Sequence, residues 1–153
     1  MRHMMTTLMV AGMTPVLAVG ALAAGGSKLT VVESEKYGAY VAGSDGRALY
    51  MFTTDRKGEG DTAAQSSCYD ACAEAWPPLL AEEAPDVGKQ LDPEQLGTIQ
   101  REDGERQVTY GGWPLYYFAK DRRAGSVTGQ DVHGFGGEWY LVSPDGTKNE
   151  EEG

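Results

Sequence analysis

The sequence predicts a mostly β protein: a single small domain of two pseudo-repeated β-hairpin units with one short helix. The main observation is an internal repeat, since residues 50–55 (YMFTTD) return 66 residues later as residues 116–121 (YYFAKD). Each copy follows a turn signal, Asp45-Gly46 or Gly111-Gly112, between strand-forming segments. A barrel, a sandwich and a small propeller are all compatible with this pattern.

The repeated segment has the pattern of a strand that is covered on both faces. Tyr50 and Phe52 lie on one face of an extended chain, and Leu49 and Met51 lie on the other, so both faces are apolar. Asp55 has the wrong parity for the aromatic face, and we expect its carboxylate to accept backbone N–H groups of the following turn. The second copy places three residues in the same roles: Tyr116, Phe118 and Asp121.

A ligand or ion site built from Asp55 and Asp121 is the alternative interpretation of the motif. Basic residues follow both carboxylates directly, Arg56-Lys57 in one copy and Arg122-Arg123 in the other. Their positive charge disfavours a calcium ion at either position.

The flanking segments complete the hairpins. The first is predicted from strands over 37–42 and 47–52, and the second from strands over 107–110 and 113–118. Together with the segments after them, they define pseudo-repeats of about 37–80 and 103–146. Between them, residues 61–75 are rich in Ala and Gln and stop before Pro77-Pro78, which predicts the short helix.

The chain begins with the features of a secretory signal peptide over residues 1–23. Arg2 and His3 precede an apolar run over 8–22, and Ala21-Leu22-Ala23 is a small-x-small cleavage site. Cleavage leaves a β-rich domain over 24–147 and an acidic tail over 148–153 that we expect to be disordered. We therefore expect a periplasmic or secreted protein with no stable membrane insertion after cleavage.

The net charge of −10 at pH 7 limits the classes of partner. Phosphate backbones require basic surfaces, so the charge argues against nucleic acid. An extracytoplasmic protein or a cationic partner is compatible with it.

The two cysteines, Cys68 and Cys72, are predicted to form a disulfide with each other, as is usual in an exported chain with only two cysteines. A redox pair and a metal clasp are the alternatives. The three intervening residues do not match the Cys-x-x-Cys redox spacing.

The duplicated Tyr-x-aromatic-x-x-Asp pattern behind an export signal resembles the family of secreted repeat proteins and predicted lipoproteins with the Yx(FWY)xxD motif. That family also shows a cysteine pair followed by Trp-Pro-Pro-Leu, as at residues 76–79 of this chain. That family has no settled biochemical activity, so the resemblance does not imply a particular reaction. Members often carry a lipid-attachment cysteine after the signal, but no cysteine precedes Cys68, so no lipid anchor is expected.

Few residues of the mature chain could carry chemistry. Only His133 and Met51 remain as an imidazole and a thioether, too few for a copper or zinc site made by one chain, and no metal or cofactor is predicted. Ser126 and Ser143 flank His133 in sequence, but neither lies in a Gly-x-Ser-x-Gly elbow.

We therefore predict an exported, non-catalytic binding or structural module. One alternative is a periplasmic electron-transfer or metal-handling accessory, suggested by the crowd of Tyr and Trp residues. Another is a polysaccharide-binding or hydrolysing domain. The candidate ligand-contacting residues are Trp113, Trp139, Tyr140 and His133.

Overall fold

A computed structural model describes residues 28–153, so the predicted signal peptide lies outside the described residues. The described part contains nine strands, one α-helix and one turn of 3-10 helix. The strands are β1 (Lys28–Ser34), β2 (Gly38–Ala42), β3 (Tyr50–Phe52), β4 (Asp86–Val87), β5 (Leu96–Gln100), β6 (Arg106–Tyr110), β7 (Trp113–Pro114), β8 (Val132–Gly134) and β9 (Gly137–Leu141); α1 is Ala71–Ala75 and the 3-10 turn is Pro93–Gln95.

The strands form three small sheets, in the orders β2-β1-β4, β3-β9-β8 and β5-β6-β7. Short bridges join them: the Val41 N–H donates to the Val142 carbonyl at 2.8 Å, and Tyr50 pairs with Tyr116. The mostly β class with one short helix is confirmed. These three sheets form no closed barrel within residues 28–153.

The motif strand β3 lies between two hydrophobic clusters. Tyr50 and Phe52 belong to one cluster and Leu49 and Met51 to the other, and all four side chains are buried. The predicted alternation of the strand is therefore confirmed. β3 pairs with β9 along one edge, with Phe52 opposite Trp139.

The second predicted hairpin is present as β6 and β7, which pair across Gly111-Gly112, but its second strand ends at Pro114 and not at residue 118 as predicted. The first hairpin is shorter than predicted, since only the bridge between Ala42 and Ala48 joins its two arms. The main partner of β2 is β1, a strand that was not predicted.

Two further expectations need correction. The predicted helix over 61–75 is reduced to Ala71–Ala75, because Arg56 and Gln65 pair with each other and hold the preceding residues in a loop. The tail predicted to be disordered from residue 148 is anchored: Asn149 is buried, and its side-chain amide donates to the Tyr37 carbonyl at 2.8 Å.

Candidate functional site

The two copies of the motif meet in the core as an antiparallel pair. The Tyr50 N–H donates to the Tyr116 carbonyl at 2.8 Å, and the Tyr116 N–H donates to the Tyr50 carbonyl at 3.0 Å. Because equivalent residues face each other across an antiparallel bridge, the two motif strands are related by a local twofold axis. Each tyrosine consequently points toward the end of the other copy.

The carboxylate of the first copy binds the tyrosine of the second. The Tyr116 hydroxyl donates to Asp55 Oδ2 at 2.7 Å, and the Ser67 N–H and hydroxyl both donate to Asp55 Oδ1 at 2.8 Å. Asp55 is only 6% exposed. It therefore ties the end of the following loop to the other repeat.

The carboxylate of the second copy binds the tyrosine of the first in the same way. The Tyr50 hydroxyl donates to Asp121 Oδ2, and the Thr128 N–H and hydroxyl donate to Asp121 Oδ1 at 2.9 and 2.6 Å. Asp121 is fully buried. Ser67 and Thr128 thus have the same role, although they follow their aspartates by 12 and 7 residues.

The two pairs differ in one buried cation. On the Asp55 side, Arg101 is 3% exposed and donates to Ser66 Oγ at 2.9 Å, while Ser66 Oγ lies 2.6 Å from the Tyr116 hydroxyl. Because Arg101 donates to Ser66 and Tyr116 donates to Asp55, the Ser66 proton must point to Tyr116. The hydrogen bonds therefore run in one direction, from Arg101 through Ser66 and Tyr116 to Asp55.

Burial governs the ionisation of these groups. It raises the pKa of Tyr50 and Tyr116 well above the ordinary tyrosine value, and the bonds to Asp121 and Asp55 raise it further because a phenolate cannot donate. Burial also raises the pKa of Asp55, against the lowering effect of the bonds from Tyr116 and Ser67. Both tyrosines are accordingly neutral donors near pH 7.

A stack of four aromatic rings lies beside the two tyrosine–aspartate pairs. Its order is Phe52, Trp139, Trp76, Phe118, with centroid spacings of 4.0, 4.0 and 3.9 Å and interplanar angles of 7°, 1° and 15°. Tyr50 contacts Trp76 edge-on at 5.3 Å, and Tyr116 contacts Trp139 edge-on at 5.2 Å. We call these four stacked rings the aromatic stack.

Four members of this arrangement were not predicted from the repeat: Trp76, Ser67, Thr128 and Arg101. Trp76 and Trp139 occupy equivalent places about the twofold axis, but they are 63 residues apart and so do not match at the 66-residue offset. A search for the repeat with allowed insertions would have paired them.

The candidate ligand-contacting residues do not form one site. Trp139 is fully buried and presents no ring face to a ligand, and its place in the stack explains why. Trp113 and Tyr140 are half-buried, and the Tyr140 hydroxyl donates to Glu138 at 2.9 Å. That bond raises the pKa of Tyr140 to about 12.

His133 lies on the surface at the β8–β9 hairpin. Its side chain is 72% exposed, and its Nε2 lies 3.5 Å from a Glu138 carboxylate oxygen. Together with Thr53 and Gly134, these two residues line an open pocket of about 620 Å³. His133 makes no hydrogen bond to Asp55 or Asp121 among the described residues.

The cysteine prediction is confirmed, since Cys68 and Cys72 form a disulfide with a Cα–Cα separation of 5.2 Å. Met51 is buried within β3. Within residues 28–153, no three His, Cys, Asp or Glu side chains converge on a point that could hold a metal ion. Nor is any helix in that part of the chain both long and apolar enough to span a bilayer.

Fold and core together define an internally duplicated β domain whose halves interlock through exchanged side chains. The chain belongs to the family described as a secreted repeat of unknown function, whose model matches it twice, at residues 31–80 and 97–143. The resemblance inferred from the sequence is thereby confirmed, and secretion is the localisation that the family indicates. No significant match occurs among curated proteins or among solved structures.

Proposed function

We propose that this protein is an exported, non-catalytic binding or structural module of the periplasm or the extracellular space. The observation that supports this most is the burial of the duplicated motif. Asp55, Asp121 and their tyrosine partners are at most 6% exposed and direct their hydrogen bonds at one another and at neighbouring loops. Burial raises the pKa of both tyrosines in these pairs well above the ordinary value, and both hydroxyls act within the fold.

The surface chemistry also favours binding over turnover. Nucleophilic catalysis requires a hydroxyl or thiol in hydrogen-bond contact with a base. His133 pairs with Glu138, and the nearby Thr53 hydroxyl accepts the Glu138 N–H at 2.9 Å. Within residues 28–153, no serine, threonine or cysteine is hydrogen-bonded to His133.

We assign the binding face to the β8–β9 turn, where Phe135 lies beside the His133 pocket. Phe135 is 51% exposed and has a φ of 55°, a conformation that is rare for a bulky side chain. Backbone strain of this kind concentrates at functional sites. An exposed ring at a hairpin tip is suited to act as an anchor in a partner's pocket.

Binding to extracytoplasmic proteins of the native host tests this assignment. Crosslinked partners should be lost with Phe135→Ser and kept with Leu80→Ser, because Leu80 is the other large exposed hydrophobic residue of the described chain, at 40%. Both variants should unfold at the wild-type midpoint. Equal capture by the two variants would refute the binding face.

Catalysis is tested separately with hydrolase and redox substrate panels. We expect no turnover that depends on a single polar side chain. Reproducible turnover that His133→Ala abolishes would overturn the non-catalytic proposal, whatever the binding result.

Polysaccharide binding is a second candidate, but the burial of Trp139 removes one of its three proposed stacking rings, so Trp113 and Tyr140 remain of that set. Glycan-array binding that Trp113→Ala removes would support it. As for other partners, the charge of −10 remains the reason to propose a protein or cationic partner in preference to nucleic acid.

A further inference from the structure

The aromatic stack and the two tyrosine–aspartate pairs form one continuous array that scaffolding alone does not require. We propose that this array is a one-electron redox relay, in which the stacked Trp76 and Trp139 carry the electron and the Tyr50–Asp121 pair stores the oxidising equivalent. This role goes beyond the proposed binding function: the relay is built from buried residues, and it shares with the binding face only the pocket that contains His133.

The stacking geometry favours electron sharing between the indoles. Trp76 and Trp139 lie face to face at 4.0 Å with an interplanar angle of 1°, whereas aromatic pairs usually prefer offset or edge-on arrangements with centroids about 4.5–7 Å apart. Direct overlap of two parallel π-systems spreads the positive charge of an oxidised indole over both rings. Phe52 and Phe118 cover the outer faces at 4.0 and 3.9 Å and keep water from the pair.

The tyrosines supply the proton chemistry. A phenol loses its proton when it is oxidised, and a base that is already hydrogen-bonded to the hydroxyl removes the need for any rearrangement. Tyr50 donates to Asp121 and lies 5.3 Å from Trp76; Tyr116 donates to Asp55 at 2.7 Å and lies 5.2 Å from Trp139. Each tyrosine therefore has a proton acceptor and an electron acceptor in contact.

The proposed step uses an outer-sphere one-electron oxidant, such as a high-potential metal complex. The oxidant removes one electron from the Trp76–Trp139 pair and is itself reduced by one electron. Tyr50 then passes an electron to the indole cation radical while its hydroxyl proton moves to Asp121. The products are a neutral indole pair, a Tyr50 phenoxyl radical and a protonated Asp121, and a one-electron reductant reverses the step.

The stack comes nearest to the His133 pocket at Trp139, which is itself buried. The Trp139 Nε1–H donates to the Gly134 carbonyl at 3.3 Å, and Gly134 lines that pocket. An oxidant docked in the pocket is thus separated from the indole pair by a single backbone contact. The pocket is open enough for a small metal complex, at about 620 Å³.

The buried cation makes the two tyrosines unequal. Arg101 pairs directly with Asp103 at 3.3 Å, but the Asp103 side chain is 45% exposed, so Asp55 is the buried carboxylate of this network. A proton that moved to Asp55 would neutralise that charge and leave the buried Arg101 less compensated, which is costly in a low-dielectric core. On the other side, Arg47 contacts Asp121 through the backbone carbonyl and not through the carboxylate. The Arg47 side chain is 28% exposed and lies 3.9 Å from Asp45. Water therefore screens Arg47, and the radical should settle on Tyr50.

Photochemical oxidation tests the relay. The protein is mixed with a ruthenium(II) polypyridyl complex and persulfate, illuminated, frozen and examined by electron paramagnetic resonance. The wild type should show a tyrosyl radical, and Tyr50→Phe should lose most of that signal. Asp121→Asn should abolish the solvent deuterium isotope effect on radical formation.

The structural twin provides the matched control. Tyr116→Phe removes an equivalent hydroxyl at a similar structural cost and should retain the tyrosyl signal. Circular dichroism of the coupled indoles verifies that both variants keep the Trp76–Trp139 stack. Equal radical yields in the two variants, or a wild-type radical located on the more exposed Tyr37 or Tyr69, would overturn the relay and leave the binding proposal unaffected.

Discussion

The exchange of tyrosines between the repeats makes a specific thermodynamic prediction for Tyr116→Phe. This change removes a hydroxyl that donates to Asp55 at 2.7 Å and lies 2.6 Å from Ser66 Oγ, inside a site where Asp55 is 6% exposed. A hydrogen bond to a charged group contributes about 1.5–3 kcal/mol, and a carboxylate that loses a donor in the core pays part of its desolvation cost. We expect the free energy of unfolding to fall by about 2–3 kcal/mol.

Urea unfolding followed by fluorescence measures this change. The control is Tyr37→Phe, because the Tyr37 hydroxyl has no hydrogen-bond partner among residues 28–153, and the free energy should change by less than about 0.5 kcal/mol.

A double-mutant cycle tests whether Tyr116 binds the aspartate of the other repeat or the aspartate of its own repeat. The cycle of Tyr116→Phe with Asp55→Asn should give a coupling of about 1–3 kcal/mol. The cycle of Tyr116→Phe with Asp121→Asn, which belongs to the same repeat, should stay within about 0.5 kcal/mol. Equal couplings in the two cycles would refute the reasoning.

Three other perturbations follow from the same core. Gly129→Ala should destabilise the fold by about 1–3 kcal/mol, because a Cβ there would lie 2.7 Å from a Tyr50 ring atom. Gly134→Ala is the control and should be tolerated, since a Cβ at that position meets no atom within 4 Å. Equal losses of stability in the two variants would contradict this packing. The raised pKa of Tyr50 keeps the buried phenol protonated at a pH above about 10, where the same tyrosine ionises in the unfolded chain. The free energy of unfolding should therefore fall by about 1.4 kcal/mol per pH unit above that pH for each such tyrosine. Tyr50→Phe should lessen that slope by one such increment in unfolding curves, and an unchanged slope would argue against burial of its hydroxyl. Reduction of the Cys68–Cys72 disulfide should lower the free energy of unfolding by about 2 kcal/mol on the chain-entropy model. An unfolding midpoint that is the same with and without reductant would contradict this prediction.

Local patterns accounted for the parts of the fold that depend on neighbouring residues. The alternation around Tyr50 predicted a strand between two clusters, and Gly111-Gly112 predicted the turn between β6 and β7. The strand β1 was not predicted, although Leu29, Val31 and Val32 give it the apolar residues of a short, partly buried strand.

The site itself depends on contacts between distant residues. The hydroxyl–carboxylate bonds join residues 71 and 61 positions apart, and no local spacing encodes them. Parity indicated that each aspartate leaves the aromatic face and binds the turn directly after the motif. The backbone N–H groups that reach Asp55 and Asp121 come instead from Ser67 and Thr128, 12 and 7 residues further on. What parity could not supply is the antiparallel meeting of the two copies, which exchanges their tyrosines.

The same long-range dependence explains the helix and the tail. Helix propensity favoured residues 61–75, but the pairing of Arg56 with Gln65 holds the first part of that segment in a loop. The charge of the tail indicated disorder, but the contact of Asn149 with Tyr37 anchors it across a separation of 112 residues.

The most direct measurement of the central claim is proton NMR of the two tyrosine hydroxyls. If Tyr50 and Tyr116 each bind the aspartate of the other repeat in a core closed to water, their two hydroxyl protons should be replaced by solvent protons slowly enough to be observed. The Tyr50 proton should show a nuclear Overhauser effect to the Gly129 amide, whose nitrogen lies 3.2 Å from the hydroxyl oxygen. Hydroxyls that exchange freely, on rings that titrate in the folded protein near pH of about 10, would contradict the account.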